Sequence, residues 1–368
     1  MRPFSLLVKP ISADCNIACD YCFYLEKKNL YPGVARHQMT MEVLETMIKR
    51  YLATPQPSWT FGWQGGEPTL MGAGFFEKVL ELQRRYAPPG ASISNGLQTN
   101  GTLLNDRFAQ VLKAGQFLVG ISIDGPAHLH DVHRRTVSGR GTHGDVMRGL
   151  ETLRRNGVEH NVLTLVSKAN VEHPQEVYRY LRELGITFHQ YIPCVEFEDD
   201  GSLRSYSITG DEWGRFLNGI FDEWRTEDTH TVSVRNFDAV LSMMVHNAPI
   251  ICTTGTHCRQ YFVVEHNGDV YPCDFFVQPD KRLGNVQTDH FEHMWRSPIF
   301  RSFGRNKKNW NEECSRCEYL RYCAGDCPKM RYAHGEDPTQ LSALCSGWKA
   351  FYSHTLPEFR ELAKEIPR

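Results

Sequence analysis

No stretch of this 368-residue chain approaches the roughly 18–20 apolar residues that a membrane-spanning helix needs. The N-terminal run, Met1-Arg2-Pro3-Phe4-Ser5-Leu6-Leu7-Val8-Lys9, is too short for a signal peptide and lacks a small-residue cleavage site. These absences point to a cytoplasmic protein with no membrane partner. Excess charge is missing too: the formal net charge is −2, so no basic field favours nucleic acid. No P-loop, nucleophile elbow or internal duplication is present. Gly139–Gly144 fits G-x-G-x-x-G, but it follows the polar stretch His133–Ser138 rather than a strand, so it fails as a dinucleotide loop. His128, His130 and His133 lack a recognised ligand spacing and read as solvated residues before a helix. What remains is the composition of an ordinary globular enzyme, 41% apolar and 23% charged. Its length suffices for a large core plus a smaller module.

Cysteine is the exception. Twelve are present, and without an export signal they are expected as reduced thiols rather than disulfides. Clustered at short spacings, such thiols usually bind metal.

From residue 5 to about 195, apolar runs alternate with helical patterns. The expected strands are Ser5–Val8, Trp59–Trp63, Ser92–Leu97, Phe117–Ile123, Val162–Val166 and Phe188–Ile192. Between them, Leu44, Met47, Ile48, Tyr51 and Leu52 share one helix face, and four later segments repeat that periodicity. Gly115, Gly157 and Gly185 stand where three of these helices should stop. Six strand–helix repeats argue for an α/β fold with a parallel sheet and outer helices, whose functional residues gather on loops after the strands. The pattern changes after about residue 205. A helical stretch through Trp213 and Trp224 leads to a segment with little periodicity, save a hairpin expected about Asn267-Gly268. The expected division is 1–205 for the strand–helix repeats, 206–249 for a helical linker, and 250–368 for a metal-stapled module ending in a helix.

Cys15, Cys19 and Cys22 are spaced C-x3-C-x2-C, with Phe23 and Tyr24 following. A structural zinc site wants four protein ligands, whereas a [4Fe–4S] cube held by three thiolates keeps one iron open. This spacing resembles the signature of the radical S-adenosylmethionine superfamily, which implies a partial (β/α)6 barrel with the cysteines on the loop after its first strand. In that family the cofactor's amino acid end chelates the open iron. Gly65-Gly66-Glu67-Pro68, after the second strand, is then implied to meet the cofactor's amino group, with Glu67 as counter-charge. Ser122 and Asp124, ending the fourth strand, Arg134, a guanidinium suited to a carboxylate, and Tyr21, in the cysteine loop, complete the expected cofactor contacts.

Downstream, Cys258, Gly268 and Cys273 read C-x9-G-x4-C, and Cys314, Cys317, Cys323, Cys327 and Cys345 read C-x2-C-x5-C-x3-C-x17-C. These spacings resemble the SPASM extension of peptide-modifying radical enzymes. The resemblance implies two auxiliary [4Fe–4S] clusters, one on Cys252, Cys258, Cys273 and Cys327, the other on Cys314, Cys317, Cys323 and Cys345. Complete shells suit electron transfer. Zinc accepts the same four-thiolate shell, and spacing alone does not separate the metals. Cys194 is left over, and no role is assigned to it.

Cys22-Phe23-Tyr24-Leu25, Gln64–Leu70, Leu97–Leu103 and Tyr271-Pro272-Cys273-Asp274-Phe275 narrow the resemblance to the anaerobic sulfatase-maturating enzymes. That family implies oxidation of a cysteine or serine in a Cys/Ser-x-Pro-x-Arg motif to Cα-formylglycine. A 5′-deoxyadenosyl radical takes the Cβ hydrogen, a base takes the thiol or hydroxyl proton, and an auxiliary cluster takes the second electron. Asp274, next to Cys273, is the expected base, although an aspartate with its ordinary pKa near 4 needs help from its surroundings. Tyr24 and Gln64 are expected substrate contacts. The partners implied are an unfolded or nascent sulfatase and an electron donor such as flavodoxin or ferredoxin. Two alternatives stand beside this reading: a maturase forming thioether or carbon–carbon crosslinks, and a non-catalytic metal scaffold or electron carrier.

Overall fold

The computed structural model describes residues 2–34 and 36–366. Its contacts separate two compact units. The first comprises residues 1–122, 135–160 and 259–304; the second comprises 123–134, 161–258 and 305–368. These units interleave along the chain, unlike the contiguous domains expected above.

In the first unit, strands β1 (Ser5–Lys9), β2 (Ser58–Trp63), β3 (Ser92–Thr99) and β4 (Leu118–Ser122) lie side by side in that order, all parallel. Each matches an expected strand to within two residues at either end. Helices follow them where the periodicity placed them. Met41–Leu52 buries Leu44, Met47, Ile48, Tyr51 and Leu52, the face read from the sequence, and Thr40 caps it through Val43 N. Ala73–Tyr86 and Asp106–Ala114 bury Phe76, Val79, Phe108 and Leu112. Phe76 packs against Trp63 and Phe108, and Trp63, stacked on Phe61, is fully buried with it. Wholly burying such side chains contributes about 1.5–3 kcal/mol apiece, so this layer anchors the strand ends.

The other edge of β1 carries a hairpin from far along the chain. Tyr261–Glu265 runs parallel to β1, with Lys9 opposite Glu265, and turns back antiparallel at Asp269–Tyr271. The hairpin itself was legible in Asn267-Gly268. Its seat beside β1 places Cys273 and Asp274 in the same unit as the first cysteine loop.

The second unit has its own parallel strands, His160–Val166, Phe188–Pro193 and Ser233–Val234. Helix Gly210–Glu227, begun by a Thr209/Glu212 capping box, packs on the C-terminal helix Cys345–Glu365. Gly210, Gly214 and Gly347 let the two backbones touch: a Cβ on Gly347 would lie 2.0 Å from Gly210 O. Among the described residues no helix is long and apolar enough to cross a membrane.

Candidate active site

The first cysteine loop is held by the loop after β2. Gly66 N donates to Ser12 O (2.6 Å) and Glu67 N to Asp14 O (2.9 Å). The approach is too close for side chains. A Cβ on Gly66 would lie 1.9 Å from Asp14 O, and Gly65 takes φ +140° with a Cβ position 2.7 Å from Ser12 O. Backbone cannot yield as a flexible side chain can, so Gly66→Ala is expected to cost about 3 kcal/mol or more, the upper end of overpacking. Iron analysis should show the first cluster lost or depleted in that variant, with thermal unfolding reporting the destabilisation.

Glu67 does something other than wait for a ligand. Its carboxylate is fully buried, and both oxygens are used: Oε1 accepts from Thr69 N (3.0 Å), Thr69 Oγ1 (2.6 Å) and Thr99 Oγ1 (2.8 Å), and Oε2 from Asn100 N (2.7 Å). Burial raises its pKa, and these bonds oppose the rise. The effect is to pin the β2 and β3 loops together. Asn100 then reaches the cysteines: its Nδ2 donates to Asn16 Oδ1 (2.9 Å) and lies 3.7 Å from Cys15 Sγ. Burial pushes the Cys15 thiol up to about 11, so thiolate character there needs a bound cation. Ser122 Oγ accepts from Gln98 Nε2 (3.1 Å), and Tyr21 is buried.

In the second unit, Asp124 and Arg134 form a buried ion pair, Nε to Oδ2, at 2.8 Å. Asp124 Oδ1 also accepts from Leu165 N (3.0 Å). His130, expected in solvent, is instead fully buried, and its Nδ1 accepts from Asp124 N (3.2 Å). Its position in a short helix right after a strand end is what takes it inward; the sequence shows only polar neighbours. Cys194 is buried in the same unit, its thiol pushed up to about 12 by burial and by nearby Glu196 and Asp124.

Asp274 sits at the end of the long-range hairpin and is 14% exposed. Its Oδ2 accepts from Gln64 Nε2 (3.1 Å) and lies 3.7 Å from Lys9 Nζ; its Oδ1 accepts from Tyr261 Oη (3.2 Å) and is 3.6 Å from Cys273 Sγ. Lys9 is buried beneath it, 4.4 Å above the Tyr24 ring. Burial lowers the Lys9 pKa, while the charges of Asp274 and Glu265 hold it up. The Tyr24 hydroxyl donates to buried Glu265, and burial followed by that charge keeps the phenol well above its usual range. Tyr24 is thus only 2% exposed and its hydroxyl is engaged within the protein.

Lys9, Tyr261, Glu265, Thr99 and Asn100 were not singled out from the sequence. Lys9 and Glu265 did carry a signal: each is a charged residue closing an otherwise apolar strand. Thr99 and Asn100 lay inside a quoted motif without a role.

Apart from Cys194, the cysteines of the second unit form two neighbourhoods. Cys314, Cys317, Cys323 and Cys345 line one pocket with Leu320, Leu341 and Trp348. Four thiols around one largely apolar space suit a cube. Cys252 and Cys258 are near enough to Cys327 to raise its thiol pKa further, after burial itself. Cys273 belongs to the first unit. Among the described residues no three His, Cys, Asp or Glu side chains converge on a single ion; a cube seats each thiolate on a separate iron and needs no such convergence.

Comparison with known proteins agrees with this chemistry. Residues 10–181 match the radical SAM superfamily, and residues 252–318 match an iron–sulfur cluster-binding domain, SPASM. A serine-type anaerobic sulfatase-maturating enzyme of Bacteroides thetaiotaomicron is 37% identical over 99% of this chain and 92% of its own length. A cysteine-type counterpart from Clostridium perfringens is 36% identical over the whole of both chains. The solved structure of native anSMEcpe with bound AdoMet and Cp18Cys peptide superposes with a TM-score of 0.93, at 35% identity over 99% of this chain and 100% of that one.

Proposed function

This chain belongs to the anaerobic sulfatase-maturating enzymes, radical SAM proteins that use S-adenosylmethionine and iron–sulfur clusters, and we propose that its active centre is built around Asp274. The substrate is a cysteine or serine of a sulfatase Cys/Ser-x-Pro-x-Arg segment, and the product is Cα-formylglycine. The observation that carries the reading is the Gln64–Asp274 hydrogen bond of 3.1 Å, which joins the β2 loop to the residue after Cys273.

Cys15, Cys19 and Cys22 would hold the open cluster. Gly65, Gly66, Ser122, Asp124, Arg134 and Tyr21 serve the cofactor, Glu67 acting by pinning the glycine loop. When bound, S-adenosylmethionine and the reduced cluster would supply the one-electron chemistry that removes a Cβ hydrogen atom. This chain's residues handle the proton. Gln64 and Tyr261 fix the plane of the Asp274 carboxylate, each donating to a different oxygen. Lys9 Nζ lies 3.7 Å from Oδ2 of the same carboxylate. The thiol or hydroxyl proton passes to Asp274. Gln64 remains a substrate contact; Tyr24 acts through its ring, beneath Lys9. By resemblance, Cys252, Cys258, Cys273 and Cys327 would hold one auxiliary cluster and Cys314, Cys317, Cys323 and Cys345 the other. Asp274, the proton acceptor, is adjacent in sequence to Cys273, one of the residues that would hold an electron-accepting cluster. An unfolded sulfatase segment is the partner, and a low-potential flavodoxin or ferredoxin is the electron donor.

The test is anaerobic incubation with S-adenosylmethionine, a reductant, and Cys-x-Pro-x-Arg and Ser-x-Pro-x-Arg peptides. Trapping the product as a hydrazone and weighing it should reveal an aldehyde from at least one peptide. Cofactor cleavage that yields crosslinks and no aldehyde would transfer the chain to the maturase reading.

A further inference from the structure

Among the described residues, two cations of the second unit are buried without a carboxylate partner. Lys307 is 0% exposed and Arg331 is 1% exposed. The acceptors recorded for both are backbone carbonyls. Lys307 Nζ donates to Thr253 O (2.9 Å) and to Asp326 O. Arg331 Nε donates to Gly325 O (2.6 Å), and its Nη atoms donate to the carbonyls of Asp326 (2.8 Å), Lys307 (3.2 Å), Ala324 (3.3 Å) and Pro338 (3.3 Å). Buried charge is expensive unless something nearby compensates it. The buried carboxylate in this neighbourhood, Asp326, is turned elsewhere: Oδ1 accepts from Cys327 N (2.7 Å) and Oδ2 from Ser342 Oγ (2.7 Å).

The placement of these cations is informative. Ala324, Gly325 and Asp326 are the three residues of the C-x3-C turn, and all three are left-handed, at φ +47°, +70° and +61°. Their carbonyls converge on the Arg331 guanidinium. A Cβ on Gly325 would stand 2.7 Å from Arg331 Nη2, so the turn is wrapped tightly about it. That turn joins Cys323, of one ligand set, to Cys327, of the other. Lys307 binds the carbonyl preceding Cys327 and the carbonyl following Cys252. Its charge is felt at Cys258, Cys323 and Cys327, and that of Arg331 at Cys258 and Cys314.

We propose that Lys307 and Arg331 are a buried cationic pair that raises the reduction potentials of both auxiliary clusters, so that these clusters accept the electron leaving the substrate. A cube with four thiolates carries net negative charge that grows on reduction, and fixed cations nearby favour the reduced form. The inference rests on the ligand assignment proposed above, and iron content separates the two. About twelve irons per chain, as three cubes require, establishes the clusters before any potential is read.

The experiment is an anaerobic redox titration of the loaded enzyme, followed by electron paramagnetic resonance. Lys307→Met should make auxiliary-cluster reduction at least tenfold less favourable, a downward shift of about 59 mV or more for a one-electron couple. Lys307→Arg should keep the original potentials. Asp326→Asn removes the opposing charge with little change in shape and should move the same potentials upward. In each variant the cofactor-binding cluster should stay where it was. If Lys307→Met fails to hold iron, Asp326→Asn decides the matter. Auxiliary potentials that do not move in an iron-replete variant overturn the proposal.

Discussion

Asp274→Asn is expected to leave reductive cleavage of S-adenosylmethionine within a few-fold of normal while formylglycine formation falls by about 10²–10⁴, the range a positioned general base contributes. The separation follows from the geometry. Asp274 contacts Gln64, Tyr261 and Lys9, whereas the first cysteine loop is braced by Gly65, Gly66, Glu67 and Asn100. Asparagine preserves the shape and can still accept from Gln64, but it cannot take a proton. It also leaves the buried Lys9 without its nearest anion. Glu265 remains close enough to act on Lys9, so the fold should survive. The check is a paired assay of 5′-deoxyadenosine and aldehyde from one reaction. Equal loss of both would make Asp274 a structural residue.

Cys15→Ala should act at the opposite end of the sequence of events. Removing one of three thiolates takes away the open cluster, so cofactor cleavage should drop below detection. The eight remaining ligands are unaffected, and iron should fall from about twelve to about eight per chain. Cys15 suits the test because its neighbours are defined: the Ile17 backbone and Asn100 near its sulfur, and Glu67 and Cys22 within electrostatic reach. Retained cleavage in Cys15→Ala would refute the assignment of the cofactor to this loop.

Much of this site was legible in the chain, because its signals are local. The strands read from apolar runs match the observed strands to within a few residues, and Met41–Leu52 buries the face that its spacing implied. The cysteine spacings and Gly65-Gly66 are local as well, and a turn that forbids a Cβ can be spelled only with glycine.

The illegible part is long-range. Tyr261–Glu265 has an evident hairpin turn, yet nothing in the sequence says that it pairs with Ser5–Lys9. Without that pairing, the Lys9–Asp274 and Tyr24–Glu265 contacts could not be foreseen. Glu67 teaches the same lesson. The motif made it a counter-charge for a ligand, but Thr99 and Asn100, more than thirty positions away, occupy its oxygens. His130 looked solvated among polar neighbours, although its ring accepts a buried backbone N–H. Lys307 and Arg331 carried no motif at all. Their meaning appears only when the carbonyls around them are seen to belong to cysteine turns.

The central claim is that a hydrogen atom leaves the target Cβ within this chain's active centre. It is tested most directly with a Cys-x-Pro-x-Arg peptide deuterated at Cβ, incubated anaerobically with the iron-replete enzyme, S-adenosylmethionine and reductant. The expected result is deuterium in 5′-deoxyadenosine together with an aldehyde on the peptide. Unlabelled 5′-deoxyadenosine accompanying a fully formed aldehyde would contradict it.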